Sequence, residues 1–352
     1  MRKNFWKNKR VLITGHTGFK GAWLSIWLKM LGAKVTGISL PPLNKRNVFT
    51  ITNLKKKIFK SFFLNIKNKK KLEKAVVSSK PQIVFHLAAQ PLVIESYKDP
   101  INTVETNILG TTNLLEICRN IKSLKSIIIV TTDKVYSNQN KKKFFRENDK
   151  LGGDDIYSFS KVSVEMLVNS YRKLFFSNNK YILTLRAGNV IGGGDWSKNR
   201  LIPDFIRSYE KKTNFIIRNP KYVRPWQHVI DCLYGYILIT EKTYFKKIKN
   251  LNTINFGPSS KNNRTVKDVT NIMINRYNFK SKIKFNTKDT KFFEKKFLRL
   301  DSSLAKKLTG WSSKIDLNES VLLTLKWYEE FFKKKNMYKY TCHQIKNYIS
   351  KN

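Results

Sequence analysis

Cysteine and histidine are scarce in this sequence. Of its 352 residues three are cysteines, Cys118, Cys232 and Cys342, and four are histidines. An odd number of cysteines this far apart offers neither a disulfide framework nor a CxxC zinc site. The histidines have no companion ligands at metal-binding spacing, so we expect no metal centre. His16 and His86 are interpreted as packing or backbone-bonding residues.

Long hydrophobic runs are also missing. No stretch approaches the roughly 18 consecutive apolar residues that a membrane span requires. No apolar segment follows the basic residues 1–9. We therefore expect a soluble, cytoplasmic protein that does not associate with membranes. With 41% hydrophobic and 13% aromatic residues, the chain is able to bury the core of one large domain or two closely packed ones.

Acidic residues number only 24 against 69 lysines and arginines, which gives a formal net charge of +45. A charge of this size is typical of proteins that bind nucleic acids or other polyanions. The lysines, however, are spread along the whole chain, as in KNKKKLEK and KKIKNLN, which is the pattern that codon bias in an AT-rich genome produces. Codon bias without specific nucleic-acid binding, and a genuine attraction for nucleotides, both stay open.

Strand and helix patterns alternate through the first half of the chain. Strands are predicted at residues 11–15, 34–40, 59–64, 83–88, 126–131 and 181–186, and helices at residues 21–31, 69–79, 102–121 and 158–176. This order is typical of an α/β fold with a Rossmann-type parallel sheet and helices on both faces. We expect residues 1–186 to form the cofactor-binding domain, to which a segment at about 224–256 returns.

After residue 186 the alternation gives way to clusters of Gly, Pro, Trp and Asn, such as GGGDW, RPWQ and NFGP. We predict that residues 187–352 form a smaller C-terminal region of long loops and shorter helices, which mainly binds substrate. The basic and polar residues 333–352 have by themselves the composition of a frayed tail.

Three glycines with the spacing GxxGxxG, Gly15, Gly18 and Gly21, lie between the first predicted strand and the first helix. Glycine at these positions permits a tight turn, a close approach of the backbone to a pyrophosphate and close packing of the helix. The helix N-terminus adds amide donors and the positive end of a dipole. The segment predicts a site for a nicotinamide dinucleotide.

The end of the second predicted strand lacks the acidic residue that would hold the ribose hydroxyls of NAD. Ser39 stands there, and Lys45 and Arg46 follow soon after. Because a basic residue at this place is able to accept a 2′-phosphate, the residues alone leave NAD and NADP open.

Tyr157 and Lys161 form a YxxxK pattern at the start of a predicted helix. The i, i+4 spacing puts both side chains on one helical face, where the ammonium is expected to lower the pKa of the phenol. Tyr157 is therefore a candidate base toward an alcohol. Thr132, Asp133 and Lys134 follow a predicted strand, at the edge where open parallel sheets bind ligands. Thr132 is a candidate for binding the reacting hydroxyl, and Asp133 with Lys134 is an ionisable pair that simple alcohol oxidation does not require.

The chain resembles the CDP-glucose 4,6-dehydratases, which belong to the extended short-chain dehydrogenase/reductase family. The segments that carry the resemblance keep their order and spacing: GHTGFKGAWLSIWL, HLAAQPLV, TNILGT, TTDKVY, YSFSK, RAGNVIGGGDW, RLIPD, IRNP, RPWQHV and NFGP. It covers almost the whole chain, including residues 337–348, so that an ordered C-terminus is expected. Asn65 and the pair Ile94 and Glu95 depart from the family, which has an acidic residue and an arginine there.

The resemblance implies conversion of CDP-glucose to CDP-4-keto-6-deoxyglucose and water, with NAD as a regenerated cofactor. Tyr157, Lys161 and Thr132 would carry the oxidation, and Asp133 would act as the acid in the elimination. Lys134, which stands where dTDP-glucose dehydratases have glutamate, is the candidate base. It further implies a homodimer or homotetramer paired through residues 102–121 and 158–176, and a product that feeds the dideoxysugars of a cell-surface polysaccharide such as O-antigen.

Two sets of binding residues complete these expectations. The cofactor set comprises Gly15, Thr17, Gly18, Phe19, Gly21, Asn65, Ile66, Leu87, Ala88, Ala89, Thr106, Tyr157 and Lys161. The substrate set comprises Gln90, Asn189, Arg200, Leu201, Arg218, Arg224 and His228, in which the arginines offer planar donors to a diphosphate. Trp226 is expected to shape the nucleotide pocket with His228.

Three alternative functions stay open. A sugar-nucleotide epimerase would share the fold, the glycine loop and the Tyr157–Lys161 pair, but it does not need the Asp133–Lys134 pair. A dehydratase of another nucleotide sugar would need all of them. A noncatalytic basic module would bind RNA through its lysines, with a steep dependence on salt.

Overall fold

The computed structural model describes residues 2, 4–137, 143–176, 180–245, 248, 251–260, 263–286 and 296–351. Its strands are β1 (Arg10–Thr14), β2 (Lys34–Ser39), β3 (Lys60–Phe63), β4 (Ile83–His86), β5 (Ser126–Val130), β6 (Tyr181–Ala187), β7 (Asn189–Ile191), β8 (Phe215–Arg218), β9 (Val223–His228), β10 (Thr253–Phe256), β11 (Asn263–Thr265) and β12 (Ile283–Asn286).

The described helices cover both halves of the chain. They are α1 (Phe19–Met30), α2 (Val48–Ile51), α3 (Lys69–Ser79), α4 (Val93–Lys98), α5 (Pro100–Val104), α6 (Gly110–Arg119), α7 (Ile156–Phe175), α8 (Leu201–Lys211), α9 (Val229–Tyr244), α10 (Val266–Tyr277), α11 (Ser303–Thr309), α12 (Leu317–Phe332) and α13 (Met337–Ser350). A π-helical turn, Glu105–Leu109, joins α5 to α6, and 3-10 turns lie at Leu54–Lys56 and Asp133–Val135. In the described ranges no helix is long and apolar enough to cross a bilayer.

Seven parallel strands form the central sheet, in the order β10-β6-β5-β4-β1-β2-β3. Two apolar cores cover its faces, because successive residues of a strand point to opposite sides. Val11 and Ile13 of β1 pack in one core with α1, and Leu12 packs in the other with α3, α6 and α7. The predicted α/β fold with a Rossmann-type sheet is confirmed.

The C-terminal half is more regular than we expected. β11, β9 and β7 form a three-stranded sheet, β12 and β8 form a two-stranded one, and α9 and α12 each have 16 residues. The expectation of long loops and shorter helices is therefore wrong. α9 gives little amphipathic signal because most of its residues are buried, and such helices are apolar nearly all round. β10 joins β6 at the edge of the main sheet, while the division into two domains stays a prediction.

Two helices differ from their predicted form, and the C-terminal segment is ordered as expected. α1 begins at Phe19 rather than at residue 21, since Gly18 is already its N-cap. The single helix predicted over residues 102–121 is interrupted by the π-helical turn, and such turns are frequent at functional sites. The expected C-terminal order is confirmed: α13 is anchored where Tyr348 donates a hydrogen bond of 2.6 Å to Asp231 on α9.

Candidate active site

The glycine loop between β1 and α1 has the shape that a pyrophosphate site requires. Gly15 has φ +79°, and a Cβ atom there would lie 2.7 Å from the backbone nitrogen of Ala88. A Cβ atom at Gly21 would collide with the backbone of Gly15. Gly18 caps α1, so the free amide groups of the first turn face the end of the loop. The loop therefore fits a dinucleotide cofactor.

The residues at the end of β2 bear on the choice between NAD and NADP. Thr17 and Ser39 share a hydrogen bond of 2.7 Å between their hydroxyls, and Thr17 also donates to the carbonyl of Leu40. Arg46 pairs with Glu210 of α8 at 2.5 Å, and its guanidinium lies over the ring of Trp196. Because this pairing competes with a 2′-phosphate for the guanidinium, the arrangement favours NAD.

The segment after β4 is tied to the glycine loop through Thr14. The amide groups of Leu87 and Ala88 donate to the carbonyl and hydroxyl oxygens of Thr14, at 3.0 and 3.3 Å. The Thr14 hydroxyl lies 2.6 Å from Nδ1 of His86, and the Thr111 hydroxyl 2.9 Å from Nε2. His86 thus bonds side-chain hydroxyls rather than the backbone. Burial, followed by the charge of Lys161, lowers the pKa of His86 to about 3.

The remaining predicted cofactor residues lie after β3 and β4 and in the π-helical turn. Asn113 of α6 donates to the carbonyl of Ile66 at 3.1 Å, and Ile66 packs against Gly110. Asn65 accepts the amide of Lys67. Thr106 donates to Asn102 at 3.3 Å, and Ala89 follows Ala88 on the segment after β4. Segments that lie far apart in the sequence thus meet at the carboxyl edge of the sheet.

Asn107 was not predicted as a site residue. Its side chain accepts from the amide of Gln90 at 2.8 Å and donates to the carbonyl of Gln90 and to the hydroxyl of Ser160. It therefore joins the π-helical turn, the segment after β4 and α7. Its place in the TNILGT segment was the available signal.

The structure brings the predicted catalytic residues together. α7 begins with Asp155 as its N-cap and carries Tyr157 and Lys161, both buried, on one side. The phenol hydrogen-bonds Thr132, whose hydroxyl also donates to Asp133 at 3.1 Å. Lys161 donates to the carbonyl of Val130, the last residue of β5, at 3.4 Å. A phenol, a hydroxyl and a carboxyl group thus meet where β5 ends.

The pKa values of this group differ from the prediction. Burial raises the pKa of Tyr157 to about 12, the charge of Asp133 adds to this, and the Thr132 hydrogen bond and Arg200 oppose it. The expected lowering of the phenol pKa is therefore wrong, because burial outweighs the neighbouring cations. Burial and then the charge of Lys20 lower the pKa of Lys161 to about 8.

Lys134 follows Asp133 in the 3-10 turn. It is half-buried, and its backbone amide donates to the Thr132 hydroxyl at 3.4 Å. Asp133 itself is almost fully buried, and one of its carboxylate oxygens lies 3.0 Å from the Cβ position of Gly188. Asp133 is therefore part of the buried group, and the backbone of Lys134 adjoins it.

A buried ion pair lies next to the catalytic residues of α7. Glu165, one helical turn beyond Lys161, accepts hydrogen bonds from Arg186 at 2.9 and 3.1 Å and from Thr131 and Thr184 at 2.5 and 2.7 Å. Arg186 also donates to Tyr136 at 2.8 Å. The sequence interpretation missed Glu165, although its i, i+4 spacing from Lys161 was a usable signal.

Among the predicted substrate residues, Arg200 is one whose charge acts on the catalytic group. It pairs with Asp195 at 2.7 Å, and its charge acts on Tyr157 and Lys20. Leu201 is the first residue of α8, which Arg200 caps. Arg200 thus offers a half-buried cation beside the phenol.

The other predicted substrate residues are spread over the small sheets. Asn189 of β7 pairs with Trp226 of β9, Arg218 donates to the carbonyl of Asn199 at 3.0 Å, and the buried Arg224 donates to the carbonyl of Val223. His228 is the last residue of β9 and pairs with Ile191 of β7. It is fully buried, caps α9 and packs edge-on against Trp23 of α1.

Histidine and acidic residues do not gather into a metal site in the part of the chain that the structure describes. His16, the other histidine interpreted as a packing residue, shares a hydrogen bond of 2.7 Å with Ser61 and packs between Phe49 and Phe63.

Comparison with known proteins identifies the family. The family profile described as GDP-mannose 4,6 dehydratase matches residues 12–324. A CDP-glucose 4,6-dehydratase from Salmonella typhimurium is 39% identical over 354 residues, which cover 99% of this chain and 98% of that protein. The chain belongs to the nucleotide-sugar 4,6-dehydratase family. The family resemblance and the enzyme class, a hydro-lyase of the short-chain dehydrogenase/reductase type, are thereby confirmed.

Solved structures share the fold at lower identity. The UDP-glucose 4-epimerase of Thermotoga maritima, solved with UDP-glucose, is 23% identical with a TM-score of 0.81 and covers 92% of this chain and 99% of its own. The UDP-glucuronic acid 4-epimerase of Bacillus cereus was solved with UDP-glucuronic acid and NAD. It is 24% identical with a TM-score of 0.78, and the match covers 91% of this chain and 99% of that structure. Both have the architecture described here.

Proposed function

We propose that the chain dehydrates CDP-glucose to CDP-4-keto-6-deoxyglucose. The observation that carries the proposal is the buried group at the end of β5, where Tyr157, Thr132 and Asp133 adjoin. The relative from Salmonella typhimurium that aligns over nearly the full length supports CDP-glucose as the substrate. A carboxyl group beside an alcohol-oxidising pair favours elimination over epimerisation, which requires no acid at C6.

NAD is the proposed cofactor. The glycine loop around Gly15 and Gly18 would hold its diphosphate, and Tyr157 with Lys161 would face its reacting end. The pairing of Arg46 with Glu210 and the NAD in the fold relative from Bacillus cereus both support NAD over NADP. When bound, NAD would supply the hydride acceptor for oxidation at C4 and, once reduced, the hydride donor at C6. No reductant is consumed in the net reaction.

The oxidation needs a group that accepts the proton of the C4 hydroxyl. We assign this role to Tyr157, whose phenol hydrogen-bonds Thr132, and Thr132 would bind the same hydroxyl through its side chain. Because burial raises the phenol pKa, the proton transfer depends on a nearby positive charge. Arg200 supplies one, and we assign the same role to Lys161 on α7. The product of this step is a 4-keto sugar, whose C5 proton is acidic.

Elimination then requires a base at C5 and an acid at the C6 hydroxyl. We assign the acid to Asp133, which lies buried beside Thr132, and the base to Lys134. The C5 proton leaves, the C6 hydroxyl departs as water, and C5 regains a proton when the hydride returns to C6. The elements of one water molecule are the net loss.

The diphosphate and nucleotide are assigned to the C-terminal region. Arg200, Arg218 and Arg224 would bind the diphosphate, with Asn189, Gln90 and Leu201 lining the same cleft. We assign cofactor binding to residues 1–186 with the returning segment 224–256, and substrate binding mainly to residues 187–352. His228 would shape the nucleotide pocket with Trp226.

We also propose that the chain forms a homodimer. Large apolar side chains are exposed along α5, the π-helical turn and α7, the helices predicted to pair: Ile101, Leu109, Phe159, Met166 and Leu174. A second copy of the chain would cover them, and light scattering distinguishes the dimer from a tetramer or monomer. A cytoplasmic location and a product used for dideoxysugars of a surface polysaccharide complete the proposal.

Isotope transfer tests the reaction directly. CDP-glucose with deuterium at C4 should lose ordinary water and keep the deuterium. The product should therefore be about 18 Da lighter than the labelled substrate. NMR should locate the deuterium at C6, without net formation of NADH. Parallel incubations with dTDP-, UDP- and GDP-glucose test which nucleotide base the enzyme accepts. Stoichiometric NADH release, or inversion at C4 without loss of water, would contradict the proposal.

A further inference from the structure

The proposed catalytic residues lie on two separate segments. Thr132, Asp133 and Lys134 belong to the 3-10 turn after β5, which we call the catalytic turn (residues 132–135), whereas Tyr157 and Lys161 belong to α7. Groups that act on one sugar need fixed mutual distances, because small displacements of a reacting group lower the rate steeply. The catalytic turn therefore has to be fixed relative to the helix.

The N-terminal end of the catalytic turn is bonded to α7. The hydroxyl of Thr131, the residue before the turn, donates to Oε1 of Glu165 at 2.5 Å. Glu165 follows Lys161 by one helical turn on α7. Thr131 is 6% exposed and Glu165 7%, so water competes little for this hydrogen bond, which is stronger in such surroundings than in solvent.

The C-terminal end of the catalytic turn is bonded to the edge of the main sheet. The hydroxyl of Tyr136, the residue after the turn, accepts a hydrogen bond of 2.8 Å from Arg186 of β6. It donates one of 2.7 Å to Asn255 of β10. The Arg186 guanidinium also lies 4.9 Å from the centre of the buried Tyr136 ring. This end of the turn is thus fixed by two neighbouring strands.

One buried ion pair joins the two ends. Arg186 donates to both carboxylate oxygens of Glu165, at 2.9 and 3.1 Å, and a planar contact of this kind has a defined orientation. Burial raises the pKa of Glu165, but Arg186 and the hydroxyls of Thr131 and Thr184 outweigh it and lower the pKa, so the carboxyl is ionised. The residues on either side of the catalytic turn are therefore each bonded to one member of this pair.

We propose that the pair of Glu165 and Arg186 positions the catalytic turn against α7. The pair acts through Thr131 at one end of the turn and through Tyr136 at the other. These four are positioning residues, which act by keeping the hydroxyl and carboxyl groups of the turn beside the phenol of Tyr157. The effect on the reaction rests on the proposed function, whereas the fixed geometry of the turn does not.

Two matched hydroxyl deletions test the proposal. Thr131→Val removes the hydrogen bond between the chain that enters the turn and Glu165, and it leaves the ion pair intact. Thr184→Val is the control, because the Thr184 hydroxyl donates to the same carboxylate at 2.7 Å but belongs to β6. Both threonines are buried, and each hydroxyl has a second contact of 3.4 Å with a backbone carbonyl. The variants therefore differ chiefly in whether the lost hydrogen bond holds the turn.

Hydrogen-deuterium exchange with mass spectrometry follows the turn without substrate or turnover. Peptides that cover residues 131–137 should exchange roughly tenfold faster in Thr131→Val, because a hydrogen bond to a charged group is lost at one end of the turn. Tyr136→Phe removes the contact at the other end and should have the same effect. Thr131→Ser keeps a hydroxyl and should restore the wild-type rate, and Thr184→Val should leave these peptides unchanged.

Equal acceleration in Thr131→Val and Thr184→Val would overturn the inference, because the pair would then stabilise the fold as a whole. Wild-type exchange in Thr131→Val would overturn it as well. Circular dichroism checks the folding of each variant, and if Thr131→Val does not fold, Tyr136→Phe is compared with Thr184→Val instead. Variants of Glu165 and Arg186 themselves are less decisive, since loss of one member leaves the other charge buried without its partner and destabilises the whole domain.

Steady-state kinetics separate this inference from the proposed function. With CDP-glucose, kcat of Thr131→Val should fall roughly 10- to 100-fold while KM stays within about twofold, since a displaced turn affects the reacting groups more than substrate binding. Thr184→Val should keep both constants. If the wild type dehydrates no nucleotide sugar, the proposed function fails, and the exchange rates still decide the geometry of the turn. If the wild type is active and folded Thr131→Val keeps its kcat, the positioning role fails alone.

Discussion

His228 is expected to make the fold sensitive to acid. Its side chain is fully buried and burial lowers its pKa to about 3, while Nδ1 accepts the amide of Ile230 at the start of α9. In the unfolded chain the pKa returns to about 6.5. Below pH 6.5 the unfolded state therefore binds more protons than the folded one, and stability is lost as the pH falls toward 3.

The size of the loss follows from the two pKa values. At pH 5 the unfolded state gains about 2 kcal/mol from protonation of this ring, and at pH 7.5 less than about 0.1 kcal/mol. His86 and His16, with pKa values of about 3 and 4, add comparable amounts. Since a folded domain is stable by only about 5–15 kcal/mol, these three rings matter in mild acid.

Replacement of His228 by asparagine isolates one of these contributions. Asparagine is a good N-cap and keeps an acceptor for the amide of Ile230, but it does not titrate. At pH 7.5 the variant should be less stable, by about 1–3 kcal/mol, because the packing against Trp23 is lost. At pH 5 this difference should shrink by about 2 kcal/mol.

Urea unfolding followed by tryptophan fluorescence at the two pH values measures the difference. His343→Asn, at an exposed position on α13, is the control. Its free energy of unfolding should differ from that of the wild type by the same amount at both pH values. If the gap between wild type and His228→Asn is the same at pH 7.5 and pH 5, burial does not hold this ring neutral, and the reasoning is refuted.

Three further changes test the site. Gly15→Ala should weaken NAD binding and lower the melting temperature, because a Cβ atom would lie 2.7 Å from the nitrogen of Ala88; calorimetric NAD affinity equal to wild type would contradict this. Tyr157→Phe should slow C4 oxidation by roughly 100- to 10,000-fold while NAD still binds, and a wild-type single-turnover rate would remove Tyr157 as the base. Lys134→Ala should still oxidise C4 but accumulate bound NADH, with slower exchange of the C5 proton into deuterated water. An unchanged exchange rate would exclude Lys134 as the base at C5.

The sequence by itself was enough to predict the parts of the molecule that depend on neighbours along the chain. The alternation of strands and helices, the glycine loop from Gly15 to Gly21 and the YxxxK pair depend on local periodicity and on backbone freedom at single residues. The place of Thr132 at the carboxyl edge of the sheet could also be predicted before the structure, whereas the order of the strands within the sheet was not predicted.

Tertiary structure alone decided burial and the charges that surround each group. The cation on the same helical face predicted a lower pKa for Tyr157, but the depth of the phenol reversed the sign. Glu165 on α7 meets Arg186 on β6 only because the helix and the strand pack together in the folded protein. The sequence of α9 shows little amphipathic periodicity because the helix is buried on nearly all sides. These outcomes depend on contacts between segments far apart in the chain, and no local pattern encodes such contacts.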